Sequence, residues 1–203
     1  MIEKVCDYLT AKIRHEMPEV DDERAEAINF GLQLLVGEMP KIILLCVIAF
    51  IFRIGPLVVF AYISMLPYKV VAGGFHLKTH IGCTLGTFIV YFGNVFVSKF
   101  IVMKTIAKYM IIVLAEILAI IMISMYAPAD TINMPILMAK ERRIKKILSY
   151  IFATVTLIVA LIVQNSVLSN ILIINVLVES VSISRLAYKI TKNEYGFEAY
   201  SEI

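Results

Sequence analysis

Residues 105–126, TIAKYMIIVLAEILAIIMISMY, form an apolar run in which only Lys108 and Glu116 carry charge. A helix needs about 20 such residues to cross a hydrocarbon core, and in lipid a helix satisfies its backbone hydrogen bonds within itself. Comparable runs recur along the chain: KIILLCVIAFIF from Lys41, PLVVFAYISMLPYKVV from Pro56, CTLGTFIVYFGNVFV from Cys83, ILSYIFATVTLIVALIV from Ile147 and ILIINVLVESVSISRLAYKI from Ile171. The 203 residues are 60% hydrophobic and 17% charged, too little polar surface to cover a water-soluble globule. The expected fold is all-α, a polytopic membrane protein of about six spans. The first two segments are short enough to be tilted or re-entrant. The chain reads as a single membrane domain over 1–203. Amphipathic interfacial or cytoplasmic helices occupy 1–38, transmembrane helices 39–192, and a cytoplasmic basic loop 127–146.

The N-terminal segment has no apolar core and no small-residue cleavage site, so it does not read as a secretory signal. Over residues 1–16, Ile2, Val5, Leu9 and Ile13 recur at spacings of three and four. That is an amphipathic helix suited to the membrane interface or to packing on its own spans. Pro18 followed by Asp21 and Asp22 marks a break and a helix N-cap. A second, partly polar helix is expected from about Glu23 to Glu38. Cys6, Cys46 and Cys83 have neither paired nor metal-ligand spacing, so no disulfide framework or zinc site is expected. No HExxH or comparable ligand cluster supports a metalloprotease, and no basic run suggests a nucleic-acid partner.

Lysine and arginine set the orientation. If the N-terminus is inside and each segment crosses once, every one of the 19 falls on the inner side except Arg53, Lys99, Lys104 and Lys108. The positive-inside rule then places both termini in the cytoplasm. The cluster from Lys140 to Lys146 suits anionic lipids of the inner leaflet.

Reactive chemistry concentrates in LPYKVVAGGFHLKTHIGCTLG, residues 66–86. On one continuous helix His76 and Cys83 would share a face but lie about 10.5 Å apart along the axis, too far for a hydrogen-bonded pair. A break is therefore required, and Gly73-Gly74 supplies a helix stop. Thr79 is a suitable N-cap for the next helix. Cys83 would then sit in a first turn, where the helix dipole and free amides favour a thiolate. His76 would lie in the connecting loop, able to serve as base. His80, three residues from Cys83 on the same helical face, is the alternative base, and spacing alone leaves the two open. Glu116, inside a span, is an ionisable group that needs a role or a partner such as Asn175.

AGGFHLKTHIGC resembles the signature of the accessory gene regulator protein B family, AgrB, in which glycine pair, histidine and cysteine recur with the cysteine seven positions after the histidine. Gly73, Gly74, His76 and Cys83 fall on that pattern. YAPADTINMPI, residues 126–136, is similar to the family's AP-x-D-x-x-N-x-P segment through Ala127, Pro128, Asp130, Asn133 and Pro135, and KERRIKK follows it. NFGLQ, residues 29–33, resembles a Y-G-L-E element, with Phe30 and Gln33 as departures. Lys69 stands where the family has arginine, which keeps the charge and loses the bidentate fork.

The resemblance implies a membrane cysteine endopeptidase that cleaves an AgrD-like quorum-sensing pro-peptide through a thioester acyl-enzyme, enabling thiolactone or lactone closure, with no cofactor and no metal. By residue matching, Cys83 is the nucleophile and His76 the general base and later acid. Lys69, Gly73, Gly74, Asp130 and Gln33 are candidates for positioning substrate. Partners so implied are the pro-peptide and anionic membrane lipids, and a homodimer is compatible with so small a chain. The competing class is a non-enzymatic small transporter or peptide exporter, with Glu116, Asn175 and Glu179 lining a pathway and Cys83 incidental.

Overall fold

The computed structural model describes residues 2–17, 19–77, 79–132 and 135–201, with the side chains of 2–4, 23, 30, 33, 34, 80 and 201 outside that description. Pro18 and Asn133 therefore lie outside the described residues. The helices are α1 (Ile2–Glu16), α2 (Asp22–Ile51), α3 (Gly55–Ala72), α4 (His80–Phe100), α5 (Thr105–Tyr126), α6 (Ala139–Ile162), α7 (Ser166–Ser182), α8 (Arg185–Thr191) and α9 (Gly196–Ser201). Among the described residues the strand-like features are isolated bridge positions, among them a parallel bridge between Gly73 and Ala129. The protein is thus an all-α polytopic membrane protein, divided into two compact units, residues 1–55 and 56–203.

In the first unit α1 packs on α2. The buried face of α1 is Cys6 and Thr10, while Val5 and Tyr8 are exposed. Small side chains make the close approach, while Leu9 and Ile13 are half-buried beside them. Asp21 caps α2, its carboxylate accepting from the Arg24 amide at 2.8 Å. The boundary expected at Pro40 is absent, because α2 runs through it and joins the polar helix to the first apolar segment. Proline removes one backbone bond but need not end a helix whose other bonds stand. Lys41, buried at this transition, pairs with Glu38.

In the second unit α7 is the central helix, packed against α4, α5 and α6. Its neighbours approach through Ala115 and Ala119 of α5 and Ala153 and Ala160 of α6, the small-residue contacts that drive association within lipid. Asparagines join the helices as well. Asn94 Nδ2 donates to Asn175 Oδ1 at 2.7 Å, Asn175 Nδ2 to the Ala61 carbonyl at 2.9 Å, and Asn170 Nδ2 to the Ile101 carbonyl at 2.8 Å. Outward, Ile89, Ile106 and Ile162 are more than two-thirds exposed, a surface that hydrocarbon can cover and water cannot.

Among the described residues α3, α4, α5 and α6 are long and apolar enough to cross a membrane, and α7 with α8 makes a fifth candidate bent by 71°. The sequence expectation of an unbroken sixth segment is corrected here. Ser182 and Ser184 donate to the carbonyls of Glu179 and Val181 at 2.9 and 2.7 Å, and Ser184 Oγ accepts the Ala187 amide as cap of α8. These local bonds compete with the helix and end it. The basic stretch is likewise not loop but the first turns of α6, which begins at Ala139. Glu141 in the first turn offsets the cations there and pairs with Lys145 at 2.9 Å.

Candidate active site

Two glycines end α3 and bring distant segments together. Gly73 has φ +82° and Gly74 φ +128°, conformations that a side chain makes costly. The Ala129 amide donates to the Ala72 carbonyl at 2.7 Å, and the Gly74 amide to the Ala129 carbonyl at 2.9 Å. A β-carbon on Gly73 would stand 2.1 Å from the Ala129 carbonyl oxygen. The glycine pair and the segment 127–131 are thereby fixed to each other through their backbones.

Beneath this junction lies the end of α7. Glu179 is fully buried, and its Oε2 receives Lys69 Nζ at 3.4 Å, the lysine remaining partly exposed. Among the described residues Glu179 Oε1 has no hydrogen-bond partner, and it lies 3.4 Å from the position a Gly74 β-carbon would take. At the next residue of α7, Ser180 Oγ lies 3.1 Å from Tyr68 Oη. Sequence reasoning placed Glu179 only in an export pathway and missed its pairing with Lys69. The available signal was an acid in a span, which needs a cation within reach.

Asp130 organises the adjoining loop. Its side chain is fully buried, and Oδ2 pairs with Arg142 at 3.2 Å and accepts the amides of Ile136 and Phe197 at 2.8 and 2.9 Å. Arg142 also donates to the Pro128 carbonyl at 3.3 Å and sits 4.2 Å over the Phe197 ring. Tyr188 donates its hydroxyl to the Ala129 carbonyl at 2.8 Å, and Tyr195 stacks on Tyr188 at 4.1 Å. Burial, and then the neighbouring Tyr126, raises the Tyr195 phenol above its ordinary pKa, so it stays a neutral donor to the Ile183 carbonyl at 2.7 Å. Arg142 entered the sequence reading only within the basic cluster, and Tyr188 and Tyr195 carry no signal in one sequence beyond their residue types.

The two residues matched to chemistry occupy different elements. His76 lies in the non-helical connection between α3 and α4, with its side chain exposed. Thr79 caps α4, its hydroxyl accepting the Gly82 amide at 3.1 Å. Cys83 is half-buried in the first turn, its amide bonded to the Thr79 carbonyl at 2.9 Å. The break and the cap thus lie where the glycines and Thr79 predict them. Cys6, Cys46 and Cys83 are all thiols. His80 opens α4, with its side chain outside the described residues, as is that of Gln33 in α2. Lys69, Gly73, Gly74 and Asp130 converge on the glycine junction; Gln33 belongs to the other compact unit.

Glu116 accepts the Thr154 hydroxyl at 2.6 Å. The pairing with Asn175 that the sequence allowed does not form, since Asn175 is engaged by Asn94, Ala61 and Ser64.

The sequence model of accessory gene regulator B matches residues 3–183. An AgrB-like protein of Listeria monocytogenes serotype 4a is 24% identical, over 98% of this chain and 94% of its own length. An AgrB-like protein of Clostridium acetobutylicum is 21% identical over the same shares. The accessory gene regulator protein B of Staphylococcus aureus strain JH9 is 27% identical over 77% of this chain and 80% of its own. No solved structure matches the chain. With the family's sequence model matched across all but the two ends, the chain belongs to the accessory gene regulator B family.

Proposed function

We propose that this family member is a membrane cysteine endopeptidase acting on an AgrD-like pro-peptide. The observation that carries the reading is the interruption between α3 and α4, with His76 in the connection and Cys83 in a capped first turn. A nucleophile and base on separate elements are free to meet around a substrate, as two residues seven apart on one helix are not.

In this mechanism Cys83 Sγ attacks the scissile carbonyl as His76 takes the thiol proton. His76 returns that proton to the leaving amine as the C–N bond breaks, leaving a thioester on Cys83. An internal thiol or hydroxyl of the peptide then attacks the thioester, closing a thiolactone or lactone and releasing Cys83. Exclusion of water would favour this transfer over hydrolysis. Lys69, Gly73, Gly74 and Asp130 shape the floor on which the peptide lies. Both termini and the site face the cytoplasm, with the α6 cations toward anionic lipid.

An export pathway is less well supported, because Asn175 and Glu179 are buried and bonded within the helix bundle. The test compares Cys83→Ala and Glu116→Gln in reconstituted membranes given an AgrD-like precursor. Loss of cleavage in the first variant and retention in the second supports the peptidase; the reverse pattern supports the exporter.

A further inference from the structure

The family match ends at residue 183, yet the chain beyond it folds back onto both segments that build the candidate site. Lys192 adopts a left-handed conformation with φ +55° at the end of α8, and this turn brings Asn193 against the α3–α4 connection. Asn193 Nδ2 donates to the His76 carbonyl at 2.8 Å. The same amide bonds Thr191 Oγ1 at 2.8 Å, which fixes its orientation. The next residues are anchored inward. Tyr195 stacks on Tyr188, the Phe197 amide reaches Asp130 at 2.9 Å, and Gly196 is so close to Thr131 that a β-carbon would lie 2.4 Å from its carbonyl oxygen.

Among its described residues the connection carrying His76 has no regular structure. At its start Gly74 is held by the Ala129 carbonyl, and at its end Thr79 caps α4. Between these points Asn193 grips the carbonyl of the histidine itself. A segment pinned at both ends still permits rotation about its middle peptides, and a bond to the central carbonyl removes that freedom. We infer that Asn193 is a positioning residue that holds the His76 backbone so that the imidazole is directed at the Cys83 thiol. This rests on the peptidase reading above and deepens it, by assigning the orientation of the base to the segment that follows α8.

The experiment follows alkylation of Cys83 by iodoacetamide in the full-length protein in lipid nanodiscs. Peptide mapping by mass spectrometry separates Cys83 from Cys6 and Cys46. Rates are taken from about pH 6 to 9, a range over which an ordinary thiol ionises. His76→Ala slows Cys83 alkylation at the acid end about tenfold or more. Asn193→Ser, which removes the amide, slows it about three- to tenfold and moves the profile to higher pH. Asn193→Gln, which keeps an amide donor, restores most of the wild-type rate. If Asn193→Ser matches wild type while His76→Ala is slow, the positioning role is overturned and the His76–Cys83 reading stands. If His76→Ala also matches wild type, both fall together. Should Asn193→Ser lower the melting temperature sharply, Asn193→Gln decides: a wild-type profile supports the role, and a profile like His76→Ala in a stably folded protein overturns the amide as its basis.

Discussion

The backbones of Gly73 and Ala129 meet so closely that a β-carbon on the glycine would lie 2.1 Å from the alanine carbonyl oxygen. This junction ties the histidine-bearing connection to the segment that carries Asp130.

Gly73→Ala should therefore destabilise the protein by several kcal/mol, combining a positive φ worth about 1–3 kcal/mol with a clash against immobile backbone. Gly74→Ala should cost less, because its close neighbour at 2.8 Å is the Ser182 hydroxyl, a side chain. Thermal unfolding in detergent ranks the two, and Gly74→Ala proving the worse would count against this account of the junction.

The Lys69–Glu179 pair makes a second prediction. Lys69→Met leaves a fully buried acid without its cation and should cost about 2 kcal/mol, below the usual figure for a buried pair because the lysine is partly exposed. Adding Glu179→Gln should recover much of that loss, so a double-mutant cycle gives a coupling of about 1 kcal/mol or more. Lys69→Arg, which keeps the positive charge, should retain stability. Strict additivity in the cycle would remove the pair from the account.

Which parts of this arrangement the sequence disclosed depends on the range of the interaction. The run 105–126 gave α5 to the residue, and Asp21 and Thr79 cap the helices they were expected to cap, since a cap is settled within a few residues. The continuity of α2 through Pro40 and the bend at Ser184 were not legible, because each turns on whether other backbone bonds persist or serine hydroxyls compete for them. Least legible were the contacts between Lys69 and Glu179, Asp130 and Arg142, and His76 and Asn193. Each joins different elements, Lys69 reaching α7, Asp130 reaching α6, and Asn193 reaching the α3–α4 connection after the left-handed turn at Lys192.

Asp130→Ala should lower stability by about 2–4 kcal/mol, since it frees Arg142 and leaves the Ile136 and Phe197 amides without their acceptor. Asp130→Asn, which keeps an acceptor oxygen, should lose about half as much. Protease sensitivity of the C-terminal segment provides an independent reading, with faster cleavage near Phe197 expected in the alanine variant.

Asn175→Leu removes bonds to Asn94, Ala61 and Ser64. Interhelical bonds in lipid contribute about 0.6–2 kcal/mol each, so a drop of about 1–3 kcal/mol in stability is expected. Peptide cleavage per folded molecule should remain, as Asn175 braces the bundle. Abolished turnover in a fully folded Asn175→Leu protein would instead favour a polar pathway through the helices.

The most direct test of the central claim is the intact mass of the reconstituted protein after brief incubation with an AgrD-like precursor. The account predicts an added peptide fragment on the wild-type protein, released by hydroxylamine as a thioester is, and its absence from Cys83→Ala together with all cleavage. Equal cleavage of the precursor by wild type and Cys83→Ala would contradict the account.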